Sequence, residues 1–128
     1  HIAIRSINWI TSAEQIKTCK NVSKILRCGF DDLKENNPYL SNIKGAGHIY
    51  MLDYKSEWMS YYFCKKAIKK EGLFMYFDRI IPALSMSEDE AKELIYKLKN
   101  LFNIKKPYLF KLKRLFLKAR LYLLFAIK

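Results

Sequence analysis

The chain is poor in the residues that most often carry chemistry: three cysteines, two histidines and four glycines in 128 positions. Cys19, Cys28 and Cys64 are an odd number with no CxxC pair, which excludes a zinc cluster of ordinary spacing and a complete disulfide framework. A reducing, intracellular compartment is the simplest expectation from that usage. His1 and His48 are too few to assemble a histidine metal site or a catalytic triad, and His48 is expected at a strand edge. Gly45-Ala46-Gly47 is not followed by the Lys-Ser/Thr pair of a phosphate loop, so it reads as a turn. No serine stands in a Gly-x-Ser-x-Gly setting. Neither a cofactor nor a metal is expected.

Long apolar runs are missing too. The terminal uncharged run Leu121–Ile127 has seven residues, against the roughly 20 needed to span a bilayer. No secretory-type leader is visible from His1 onward. Arginine is scarce, with Arg5, Arg27, Arg79, Arg114 and Arg120 the only five among 24 basic residues.

What is present is apolar and positive. Hydrophobic residues make up 51% and charged residues 28%, the composition of a folded chain, and 128 residues are expected to form a single domain with a core of its own. The net charge is +12, unevenly spread. Residues 1–64 hold eight basic and six acidic side chains, and residues 65–128 hold sixteen basic and six acidic. From Asn103 onward eight basic residues occur with no acid. Such a chain repels itself unless something anionic compensates, which points to a phosphate-bearing partner.

Periodicity predicts a helix-rich α+β fold. Strands are expected near 1–10, from the alternation around Ile2 and Ile4; near 48–54, where Ile49 and Met51 alternate with Tyr50 and Leu52; and near 73–78, from aromatic content. Helices are expected near 12–28, 56–71, 87–102 and 107–127. The first has Ile16, Cys19, Val22, Ile25 and Leu26 at helical spacing, with Thr11 or Ser12 before it and Gly29 placed to end it. Residues 30–47 read as a long loop with room for one helical turn. Ser56 is placed to cap the second helix, and Glu71-Gly72 to stop it. Ser87 with Glu90 makes a capping-box pattern ahead of an apolar face of Ala91, Leu94, Ile95, Leu98, Leu101 and Phe102. Pro107 opens the last helix, where its missing amide is harmless. Because each strand is short, an all-α bundle is the alternative.

The last helix has two apolar sides. Tyr108, Leu112, Leu115, Phe116, Ala119, Leu123, Ala126 and Ile127 form a broad face expected in the core. Opposite lies a stripe of Phe110, Leu117, Leu121 and Leu124, bordered by Lys111, Arg114 and Lys118 on one side and by Lys113 and Arg120 on the other. That stripe suits a helix buried on two sides within the domain with its lysines reaching outward, a protein partner or second copy, or an anionic membrane surface.

The function expected from these features is that of a non-catalytic basic module for binding or assembly, contacting nucleic acid phosphates within a larger complex. Lys65, Lys66, Lys69 and Lys70 fall on about one side of a helix, and Lys105, Lys106, Lys111, Arg114 and Lys118 extend the charge. Lysines act on a phosphate backbone as point charges without reading sequence. The alternative is peripheral membrane or partner-protein binding through the C-terminal helix. An enzymatic alternative is a metal-dependent nuclease. Asp53 and Lys55, an acid and a lysine one residue apart at a strand end, would hold a cation and activate water, with Asp31 or Asp32 as second carboxylate and Glu14 extending the site.

Overall fold

The computed structural model describes residues 2–75, 78–104 and 115–116. Within them the fold is helix-rich α+β: helices α1 (Ile2–Ile10), α2 (Ala13–Asn36), α3 (Glu57–Lys66) and α4 (Glu88–Phe102), and strands β1 (Leu40–Ala46), β2 (Ile49–Tyr54) and β3 (Arg79–Ile80). The strands form one antiparallel sheet in the order β1-β2-β3. A π-helical turn, Ala67–Glu71, continues α3 until Gly72, in the left-handed conformation, ends it.

Helix α2 starts where Ser12 accepts a hydrogen bond from the Gln15 amide at 3.3 Å. Val22, Leu26, Phe30 and Leu33, three or four residues apart, are its buried face. The expected stop at Gly29 does not occur, and α2 runs on to Asn36. Gly29 serves packing instead: a Cβ there would lie 2.5 Å from Ile95 Cγ1, so the missing side chain lets α4 approach α2.

The expected loop over 30–47 is therefore half helix and half strand. β1 reads Leu-Ser-Asn-Ile-Lys-Gly-Ala, which has no clean alternation, and it owes its extended form to pairing with β2. The two-residue turn Gly47-His48 joins them, with Gly47 at φ +62°. Gly45 is required as well, since a side chain there would collide with the Ile49 carbonyl.

Two strand expectations are corrected. Residues 2–10 form a helix: their isoleucines at 4, 7 and 10 repeat at helical rather than strand spacing. The third strand is displaced to Arg79–Ile80, and Leu73–Met75 has no regular structure. Tyr76 and Phe77 lie outside the described residues, as does the C-terminal helix expected over 107–127 apart from Leu115 and Phe116. Those two are helical, but they are 67% and 71% exposed rather than in the core.

The capping box before α4 is present in both directions: Glu90 Oε2 accepts from the Ser87 amide at 2.7 Å, and Ser87 Oγ from the Glu90 amide at 3.2 Å. α4 buries Ala91, Ile95, Leu98, Leu101 and Phe102 against α2 and α3. Phe30 stacks on Tyr50 at 4.1 Å between ring centroids, joining α2 to the sheet, and Phe63 joins Tyr54 to Phe102. The core thus sits between one sheet face and α2, α3 and α4.

Candidate functional site

The pleat of β2 sends Tyr50 and Leu52 into the core and turns Ile49, Met51 and Asp53 to the opposite face. Register adds Lys44 and Arg79 to that outer face, both paired with Met51. Lys44 Nζ lies 2.7 Å from Asp53 Oδ2. Ile49 and, just beyond β3, Ile81 are 60% and 62% exposed. Between this face and α3 runs a cleft of about 990 Å³, whose lining includes Lys44, Asp53, Glu57, Ser60, Cys64 and Asp78.

Neither the thiol of Cys64 nor the phenol of Tyr54, both in the cleft lining, is activated as a nucleophile. Burial pushes the Cys64 thiol above its usual range, against a smaller opposing effect of the hydrogen bond with Ser60. A thiol kept protonated is a poor nucleophile. Burial likewise drives the Tyr54 phenol far up, so it stays neutral at any ordinary pH.

The acidic residues singled out in the sequence do not converge. Asp53 is engaged by Lys44. Lys55 is exposed, and its backbone amide donates to the Tyr39 carbonyl at 3.1 Å. Asp31 pairs with Arg27 at 3.3 Å along α2. Asp32 is held by Lys99 and, at 2.7 Å, by Asn36 Nδ2, and these hydrogen bonds keep its carboxyl below the usual range. Glu14 stands exposed in the first turn of α2. Among the described residues, no group of three or more His, Cys, Asp or Glu side chains is placed to hold a metal ion.

The four lysines expected on one side of a helix part ways. Lys65, Lys69 and Lys70 are exposed on α3 and the π-helical turn, with Lys65 Nζ 5.9 Å from the centroid of the Tyr61 ring. Lys66 is half-buried and donates to the Leu101 carbonyl, one of the terminal carbonyls of α4 that have no partner within the helix. Burial lowers its pKa, helped by Lys70. Lys105, Lys106, Lys111, Arg114, Lys118, Phe110, Leu117, Leu121 and Leu124 lie outside the described residues. Of the described helices, none is long and apolar enough to cross a membrane.

Two surfaces escaped the sequence reading. The outer sheet face depends on β1 and on register, and only β2 was visible beforehand. The other is α1, on which every residue from Ile4 to Ile10 is exposed; its signal is a set of isoleucines three apart, beside an Ile2-Ile4 alternation that suits a strand.

No family model matches the chain, and no curated protein matches its sequence. The fold is similar to part of a solved structure, the omega transaminase from Pseudomonas jessenii in complex with PMP, with a TM-score of 0.69 and 16% identity. The match covers 84% of this chain and 26% of that one, so the chain spans about a quarter of the transaminase's length.

Proposed function

We propose that this chain is one folded unit of a transaminase-like enzyme, a helix-backed sheet completed by a larger remainder. The observation that carries the reading is the reach of the fold likeness, which takes in 84% of this chain but only 26% of the transaminase. The apolar side chains of α1 and the outer sheet face that stay exposed among the described residues support it, since a free-standing domain seldom leaves so many in water.

The described residues do not make a seat for PMP by themselves. A phosphate needs an unspent cation or a helix N-terminus facing it. In the cleft the lining cation, Lys44, is paired with Asp53, and α3 opens there with Glu57 in its first turn, whose negative charge disfavours a phosphate. Cofactor and chemistry are therefore assigned to the remainder, and this unit to its support. The test is amino transfer from an amine to a keto acid by the protein purified from its natural source. Turnover is the expected result, and a preparation that transfers no amino group to any keto acid in a broad panel would overturn the reading.

Nucleic acid binding is a second reading, favoured by the exposure of Lys65, Lys69 and Lys70, none of which forms an ion pair among the described residues. A labelled single-stranded oligonucleotide should then bind with a steep salt dependence. Changing these three lysines to glutamine should lower the slope by roughly 2, at about 0.7 per phosphate contact. Lys66 is spared in that variant because its ammonium holds the end of α4. A slope unchanged by the triple substitution would remove these lysines from the contact.

A further inference from the structure

Tyr50 is only 2% exposed, yet its buried hydroxyl has no hydrogen-bond partner among the described residues. A buried polar group left this way costs stability and calls for an explanation. The ring has no freedom to turn toward a partner. It stacks on Phe30 at 4.1 Å between centroids, and it lies so close to β1 that a Cβ on Gly45 would come within 3.0 Å of its Cδ1. Burial raises the phenol above its ordinary range, which keeps the hydroxyl protonated, and a donor, at neutral pH.

This side chain lines a groove of about 320 Å³ between α2 and the β1–β2 turn. Lys24, Arg27 and Cys28, all exposed, line it from α2, and Ala46 and Gly47 from the turn. A Cβ on Gly47 would meet nothing within 4 Å, so the groove is open on that side. Lys24 forms no ion pair among the described residues. Arg27 gives its Nε to Asp31 at 3.3 Å, which leaves the two terminal nitrogens of the guanidinium to donate elsewhere. The residues outside the described set contain no aspartate or glutamate, so none of their side chains can neutralise Lys24.

We propose that this groove binds a small monocarboxylate with a short apolar tail. One carboxylate oxygen accepts from the Tyr50 hydroxyl, and the other from the Lys24 ammonium or a terminal nitrogen of Arg27. The Tyr50 oxygen lies below the surface, so the carboxylate enters as the long, exposed side chains of Lys24 and Arg27 swing to meet it. Lys24 and Arg27 against Asp31 leave one positive charge over, which matches a single carboxylate rather than a doubly charged group. The tail lies against Ala46, Gly47 and the Cys28 thiol. The inference does not depend on the transaminase-like reading.

The Cys28 thiol supplies the test, carried out on the full natural protein. Its alkylation by iodoacetamide, a neutral reagent, is followed by mass spectrometry against rising butyrate, with butyramide as the uncharged control. The expected result is that butyrate slows alkylation of Cys28 and butyramide does not. Lys24→Gln and Tyr50→Phe should each raise the half-protecting concentration by roughly tenfold. Tyr50→Phe should at the same time keep or raise the urea midpoint, because it removes an orphaned hydroxyl and leaves the stacked ring. Equal protection by butyrate and butyramide, or none by either, would overturn the site. So would protection that both variants leave unchanged, or a Cys28 that iodoacetamide does not reach in the folded protein. A urea midpoint lowered by Tyr50→Phe would overturn it as well, since the hydroxyl would then have a partner within the fold.

Discussion

Gly29 shows how one missing side chain fixes the approach of two helices. Alanine there would gain about 1 kcal/mol in helix propensity, yet its Cβ would meet three atoms of Ile95 at 2.5 to 2.7 Å. Ile95 is β-branched and buried, so it has little room to turn away. Overpacking of this kind costs about 1–3 kcal/mol. Gly29→Ala should therefore lower the urea midpoint, and Ile95→Val in the same chain should recover part of the loss; a stabilised Gly29→Ala would show that the two helices are not in contact there. The Lys44–Asp53 pair behaves differently. With Lys44 64% exposed and Asp53 25%, removing it by Asp53→Asn should change stability by no more than about 1 kcal/mol.

Among the elements, α4 is the one whose start was plainest in the sequence, because its cap is local: Ser87 and Glu90 bond to each other's amides without help from the rest of the fold. Ser87→Ala should cost about 1 kcal/mol in thermal or urea unfolding. Local hydrogen bonding also sets an acid limit. Glu90, held by the Ser87 backbone and hydroxyl, and Asp32, held by Lys99 and Asn36, both ionise below their ordinary values of 4.5 and 3.8. A carboxyl depressed in the fold contributes stability that is complete above its unfolded value and is lost as pH falls through the folded one. Stability should thus begin to fall near pH 4.5 and keep falling below 3.8, and Glu90→Gln should flatten the upper part of that fall. Elements formed by distant contacts were less legible. The pleat of β2 could be read in Tyr50 and Leu52, whereas β1 could not, because Leu40–Ala46 takes its form from pairing with β2. Gly29 carried the ordinary mark of a helix end, and only the position of Ile95 reveals its other use. Helix α1 is not legible from the sequence because four isoleucines and a tryptophan in nine residues fit either period.

At the scale of the whole molecule, the positive charge that dominated the sequence lies partly in residues beyond those described. The described part contributes a sheet backed by α2, α3 and α4, with apolar side chains of the outer sheet face and of α1 exposed among the described residues. Composition does not disclose these exposed surfaces, because the core is well filled: Val22, Leu26, Leu52, Phe63 and Leu98 are fully buried. On the reading proposed above, the exposed surfaces are those that a larger enzyme would cover. The direct test of that account is the ratio of PMP to this chain in the protein isolated natively from its source, measured after acid release of the cofactor. The account predicts about one PMP for each copy of the chain. A native preparation in which the chain is folded and intact, yet carries no PMP and takes up none when it is supplied, would contradict it.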